Sequence, residues 1–167
     1  MKICDTVNSK LYKNDRAILH SDCNCFYASV ECLLNPNIRD LPVAVSGDAE
    51  NRHGIILAKN EEAKKYNIKT GEAIWQAKKK CPQLLTVPAR FDVYKKFSDK
   101  VRRIYSDYTD MVEPFGLDEA WLDISEDYKN DALTIAKEIS QRVKDEIGIT
   151  VSIGVSFNKI FAKFGSD

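Results

Sequence analysis

The protein has 167 residues, 44% hydrophobic and 30% charged, and its 25 basic and 25 acidic side chains cancel. That balance excludes disordered, collagen-like and membrane-spanning classes and fits one globular domain or two small ones. A chain of this length buries roughly 70% of the surface its unfolded form exposes, so a core forms without disulfides or a structural metal.

Five cysteines, at positions 4, 23, 25, 32 and 81, make neither an even disulfide framework nor paired C-x-x-C knuckles. No secretory-type signal opens the chain, and no apolar run approaches the roughly 20 residues of a spanning helix, so a cytoplasmic location is expected. The zero net charge conceals a division. Residues 52–103 carry 14 basic against 5 acidic side chains, a net of +9, and residues 104–147 carry 4 against 12, a net of −8. A basic half beside an acidic half suits an enzyme that holds a polyanion with one and cations with the other; two solvated helical faces give the same pattern.

Residues 1–15 mix polar and apolar types without a period and read as an extension. Ala17-Ile18-Leu19-His20-Ser21-Asp22 reads as a short buried strand, after which Phe26, Val30, Leu33 and Leu34 recur at helical spacing. Asn35-Pro36-Asn37 stops that helix, and residues 42–45 form a second apolar strand ahead of a turn-rich stretch from Gly47 to Gly54. A strand at 55–58 leads to Asn60, an N-cap followed by acidic Glu61 and Glu62, and a helix to about Tyr66. Gly71 breaks the chain, a short helix at 73–81 ends at Pro82, and residues 84–87 are strand-like. From Phe91 to about Tyr108, the residues Phe91, Tyr94, Phe97, Val101, Ile104, Tyr105 and Tyr108 keep one apolar stripe opposite lysines and arginines. Strands at 111–115 and 120–124 form a hairpin bent at Gly116-Leu117-Asp118-Glu119. A helix over about 131–146, with Leu133, Ala136, Ile139 and Val143 inward, stops at Gly148, and a final strand covers 149–156.

Without residues 35–89 the order is β, α, β, β, α, β. The expected fold class is therefore α+β, a ferredoxin-like sheet with helices on one face and a small inserted α/β domain. In that fold the end of the first strand lies beside the central hairpin, which brings Asp22 near Asp118 and Glu119. Three carboxylates gathered in this way repel one another, and relief comes from protonation or a divalent cation. Hard oxygen ligands favour magnesium or manganese, and with only His20 and His53 in the chain zinc is disfavoured. Two such cations can activate a hydroxyl and stabilise a leaving oxygen in phosphoryl transfer. By pattern alone, an acidic turn and a helix N-cap explain the same three residues.

Three segments resolve that choice: His20-Ser21-Asp22-Cys23-Asn24-Cys25-Phe26-Tyr27-Ala28-Ser29-Val30-Glu31, Leu117-Asp118-Glu119-Ala120-Trp121-Leu122-Asp123, and Gly154-Val155-Ser156-Phe157-Asn158-Lys159-Ile160-Phe161-Ala162-Lys163. In this order and spacing they resemble the motifs of Y-family translesion DNA polymerases, the UmuC/DinB or ImpB/MucB/SamB group. The resemblance runs from about Arg16 to the last residue. It implies a catalytic palm at 16–34 and 90–167, fingers at 35–89, and a chain that stops before the thumb and little-finger domains.

By that resemblance Asp22 and Asp118 would bridge two Mg2+ ions, with Mn2+ an alternative. Glu119 would complete the ion that activates a primer hydroxyl, and the Cys23 carbonyl would bind the nucleotide-side ion. Tyr27 matches the steric gate beneath the sugar. Lys159 and Lys64 fall at positions that contact the nucleotide triphosphate, as does Phe26, whose side chain also reads as core. The implied partners are primer-template DNA, a deoxynucleoside triphosphate and, through C-terminal regions, a sliding clamp.

The sequence departs from the family pattern at several places. Lys64 stands where an arginine is common, and it lacks the arginine fork. Glu61 replaces a phosphate-binding tyrosine, which weakens the expected grip of the fingers, and Lys59 or Lys65 could compensate. Asn24 stands for a second aspartate, Gly116 for a serine and Trp121 for a tyrosine or phenylalanine. A basic band of Lys78, Lys79, Lys80, Arg90, Lys95, Lys96, Arg102 and Arg103 offers contacts to DNA phosphates. A catalytically silent polymerase-like module and a nucleotide cyclase are the alternatives. Glu61 favours the first, and the Phe26-Tyr27 pair opposes the second.

Overall fold

The computed structural model describes residues 16–47, 54–127 and 131–167. The expected extension at 1–15, Cys4 and His53 lie outside the described residues. The chain divides into two compact units, one comprising the described residues up to Asn24 with Lys95–Asp167, the other Cys25–Tyr94.

The first unit is built on a four-stranded sheet of β1 (Ile18–Cys23), β5 (Val112–Phe115), β6 (Glu119–Asp123) and β7 (Val151–Ser156), in the order β5-β6-β1-β7 with every neighbour antiparallel. This is the ferredoxin-like order expected from the sequence. β1 is central and its alternation decides the layout. Ile18, His20 and Asp22 share one face with their cross-strand partners Asp123, Trp121 and Glu119 on β6, whereas Leu19, Ser21 and Cys23 share the other. On the second face, Ser21 hydrogen-bonds Tyr105 of α4 (Phe91–Ser106), 2.8 Å between oxygens. The helix α5 (Ala132–Ile147) packs on β7 and ends at Gly148, where φ is +89°. Its buried residues are Ala132, Ile135, Ala136, Ile139, Ser140 and Val143. Leu133, expected inward, is exposed, and Ile135 takes its place because the buried stripe is displaced along the helix.

The sequence did not announce α6 (Lys159–Ser166), which lies on the His20 face rather than with the other helices. Asn158 caps it by accepting from the Phe161 amide at 2.9 Å. Its inner side is made of small residues. A Cβ on Gly154 of β7 would sit 1.9 Å from the Ala162 carbonyl oxygen and 2.7 Å from the Ser166 nitrogen, so only glycine permits this approach.

The second unit holds a three-stranded sheet of β2 (Val43–Ser46), β3 (Ile56–Lys59) and β4 (Leu85–Pro88), ordered β3-β2-β4, with β2 and β4 parallel. α1 (Phe26–Leu34) packs on β2 and β3, so it groups with this unit. The helices α2 (Glu61–Lys64) and α3 (Ile74–Lys80) contribute Ala63 and Ala77 to a core with Ala44, Ile56, Ile68, Cys81 and Leu84. Asn60, the expected N-cap, accepts from Ala63 at 2.9 Å and Val43 at 3.0 Å and donates to the Leu41 carbonyl at 2.7 Å. One side chain thereby joins the start of α2 to β2.

Candidate active site

Asp22 lies directly opposite Glu119 across the β1–β6 pair, and Asp118 precedes it in the hairpin turn. The Cys23 amide donates to the Asp118 carbonyl at 2.9 Å, tying the end of β1 to that turn. Gly116 holds φ at +70°, which a serine would strain, and Arg102 donates to its carbonyl. On the other side, Asn24 binds β7: its amide donates to Thr150 O at 2.9 Å, and its side chain bonds Thr150 Oγ1 and Ser152 Oγ. The strand end is thus fixed from both neighbours. The Cys23 side chain is buried on the opposite face, leaving only its carbonyl for a ligand role.

Electrostatics record the crowding. Burial, then Glu119 and Asp118, push Asp22 up from 3.8 to about 6, with Lys163 opposing. Asp118 is also raised, first by burial. Burial lowers the pKa of His20, assisted by Lys163 and opposed by Glu119. Its Nε2 donates to Glu119 Oε2 at 3.0 Å, and Nδ1 lies 2.6 Å from Ser166 Oγ, which donates its own proton to the Lys163 carbonyl at 2.8 Å. Lys163 bonds the same Oε2; burial alone would depress its amine, and Glu119 more than reverses this.

Carboxylate oxygens are the donors that a hard divalent cation takes. Among the described residues, no three histidine, cysteine or carboxylate side chains close into a cage around a cation. Sequence reasoning passed over His20 and Lys163 as parts of this cluster. Strand alternation from Asp22 and helical i+4 spacing from Lys159 were the available signals.

Because Asp22 is raised when folded, the folded protein keeps a proton between about pH 4 and 6 that the unfolded chain has released. Its contribution to stability therefore falls as pH rises through that window. Asp22→Asn is expected to flatten the decline and to be more stable above pH 6. Urea midpoints at pH 4, 5, 6 and 7 for both proteins check this, and parallel curves would refute the assignment.

Lys159 is not beside the acids. It starts α6 at the Ile18–Asp123 end of the strands, pairs with Glu113 and lies 5.3 Å over the Trp121 ring. Trp121 Nε1 donates to the Lys159 carbonyl at 3.2 Å.

In the second unit, Tyr27 stacks on Tyr94 with ring centroids 4.5 Å apart, and Phe91 meets it edge-on. Phe26 is buried against the same rings, so its side chain is core. Buried Glu31 accepts from Arg90 through both oxygens and from Tyr94 at 2.7 Å, pinning α1 to the first turn of α4. Cys25, at φ +51°, turns the chain into α1 and donates to Glu61 at 3.3 Å. Lys64 bonds the same Glu61 oxygen at 2.7 Å. Of the basic band, Arg90 is engaged by Glu31, Lys80 by Glu72 and Arg102 by Gly116.

The fold is similar to that of solved structures. DinB from Sulfolobus solfataricus superposes with a TM-score of 0.83 at 31% identity, over 88% of this chain and 44% of that one. An insertion ternary complex of Dbh DNA polymerase gives 0.83 at 30%, with the same coverage. The chain belongs to the impB/mucB/samB family, whose model matches residues 21–167. Among curated relatives, DNA polymerase IV of Acetivibrio thermocellus is 60% identical over 154 residues, 91% of this chain and 39% of its own length. DNA polymerase IV of Bacteroides fragilis is 45% identical over 156 residues, 92% and 42% respectively. The chain thus spans about two fifths of these relatives.

Proposed function

We propose that this chain provides the palm and fingers of a lesion-bypass DNA polymerase, transferring a nucleotide from a deoxynucleoside triphosphate to a primer 3′-hydroxyl on template DNA. The observation that carries the reading is the meeting of Asp22, Asp118 and Glu119 at adjoining strand ends, Asp22 directly opposite Glu119, a crowding of carboxylates that a divalent cation relieves. The names of its relatives and structural neighbours support it. The palm is assigned 16–34 and 90–167 and the fingers 35–89, with α1 joining the palm in sequence while it packs on the fingers sheet.

Asp22, Asp118, Glu119 and the Cys23 carbonyl hold two Mg2+ ions, with Mn2+ an acceptable substitute. The ions, when bound, supply hydroxyl activation and neutralise charge on the transferred phosphoryl group. The protein's part is orientation: the β1–β6 register sets the acids, and the Tyr27 ring, backed by Tyr94, obstructs a ribose 2′-hydroxyl. Lys64 reaches the triphosphate and Phe26 contributes through its backbone; Lys159, paired with Glu113 at the far end of the strands, would have to leave that pair to join them. Lysines of the basic band meet DNA phosphates, a sliding clamp engages regions beyond this chain, and the setting is cytoplasmic.

Calorimetry with Mg2+ and dATP tests the reading: dATP is expected to bind only when the metal is present, and metal-independent dATP binding would contradict it. The silent-module alternative draws on Glu61, which occupies the lysine expected to grip phosphate. Glu61→Tyr is expected to tighten Mg2+·dATP about threefold to tenfold by releasing Lys64 and removing a like charge from the triphosphate. Unchanged affinity would show that this pair does not restrain the fingers.

A further inference from the structure

Three acids meet at the ends of β1 and β6, and Lys163 supplies a cation there. Its ammonium pairs with Glu119 and acts electrostatically on Asp22 as well. Both Lys163 and His20 bind Oε2 of Glu119, which leaves Oε1 as the oxygen for a metal. His20 bonds the same carboxylate oxygen and is itself held by Ser166, so it orients Glu119. The lysine is the charged partner, and its base is firmly placed because α6 rests backbone to backbone on Gly154.

We propose that Lys163 is a built-in counter-cation, holding Glu119 while the acid cluster is empty and giving way as a divalent cation enters, so that it sets the affinity of the site. This rests on the acids binding a divalent cation, the reading given above. An ammonium within one side chain's reach of a doubly charged ion repels it strongly in a partly buried setting. Lys163 therefore keeps the empty cluster from forcing its strands apart, and lowers metal affinity in return. His20 and Ser166 keep Glu119 aimed while the lysine withdraws.

The probe is Mn2+ alone, with free ion read by electron paramagnetic resonance and no nucleotide or turnover involved. Lys163→Met is expected to bind Mn2+ about tenfold more tightly, and Lys163→Arg to stay within about twofold of the parent. Lys163→Gln repeats the neutral change, and thermal midpoints verify folding. In the parent protein, acylation of the Lys163 amine is expected to rise when Mn2+ is added. Unchanged or weaker Mn2+ binding in both neutral variants overturns the proposal. If Asp118→Ala still abolishes binding in that case, the metal reading survives and only the role of Lys163 fails. Absence of Mn2+ binding in parent and variants alike overturns both.

Discussion

Replacing Asp118 with alanine in a full-length polymerase carrying this region is expected to cut primer extension by about a thousandfold or more while leaving the fold as stable as before, or more so. The main chain of Asp118 accepts from the Cys23 amide, and that bond does not depend on the side chain. What the substitution removes is one of the two carboxylates that repel Asp22. The remaining acids then share less unfavourable charge, so the pKa of Asp22 should drop toward its ordinary range. Single-turnover extension rates and urea midpoints on the same preparations check both halves. A stability loss matching the activity loss would mean that Asp118 serves the turn rather than the chemistry.

Gly154→Ala carries the largest expected structural effect. Its new methyl would sit 1.9 Å from a backbone oxygen that no side-chain rotation can move. Helix α6 must lift from β7, giving up the Ser166–His20, Lys163–Glu119 and Trp121–Lys159 contacts together. A cost of about 3 kcal/mol or more is expected, at the upper end for single substitutions. Urea unfolding gives the loss, and a change in tryptophan emission reports the freed Trp121 indole. A loss below about 1 kcal/mol would show that α6 is only loosely seated.

The contrast between β1 and α6 shows where reading a sequence succeeds. The short buried strand from Ala17 to Asp22 and the order of elements placed Asp22 near the hairpin acids, and register then fixed it opposite Glu119. Helix α6 was silent because its buried side is Ala162, Gly165 and Ser166, whereas its large apolar residues Ile160, Phe161 and Phe164 face outward. Periodicity searches look for the opposite pattern. The same blindness hid Lys163, whose role depends on a helix docking through small residues. His20 went unnoticed as an orienting group because chemistry was sought among the acids, although it shares their face. The resemblance drew attention to Lys159, yet the lysine touching the acids is one turn further on. Charge counting likewise could not show that Arg90 is committed to Glu31.

The central position of β1 makes the site sensitive to chain length more than to side-chain identity. Each of its residues from Ile18 to Asp22 is paired on both sides, with β6 and with β7. A single-residue insertion or deletion between Ile18 and Asp22 would shift the downstream residues by one position and swap the two faces. Asp22 would then turn toward the Tyr105 side of the sheet, and Ser21 or Cys23 would take its place opposite Glu119. Neither neighbour can slip to compensate without unpairing the other. Point substitutions in this strand sample graded defects, whereas a frame change within it abolishes core and site at once.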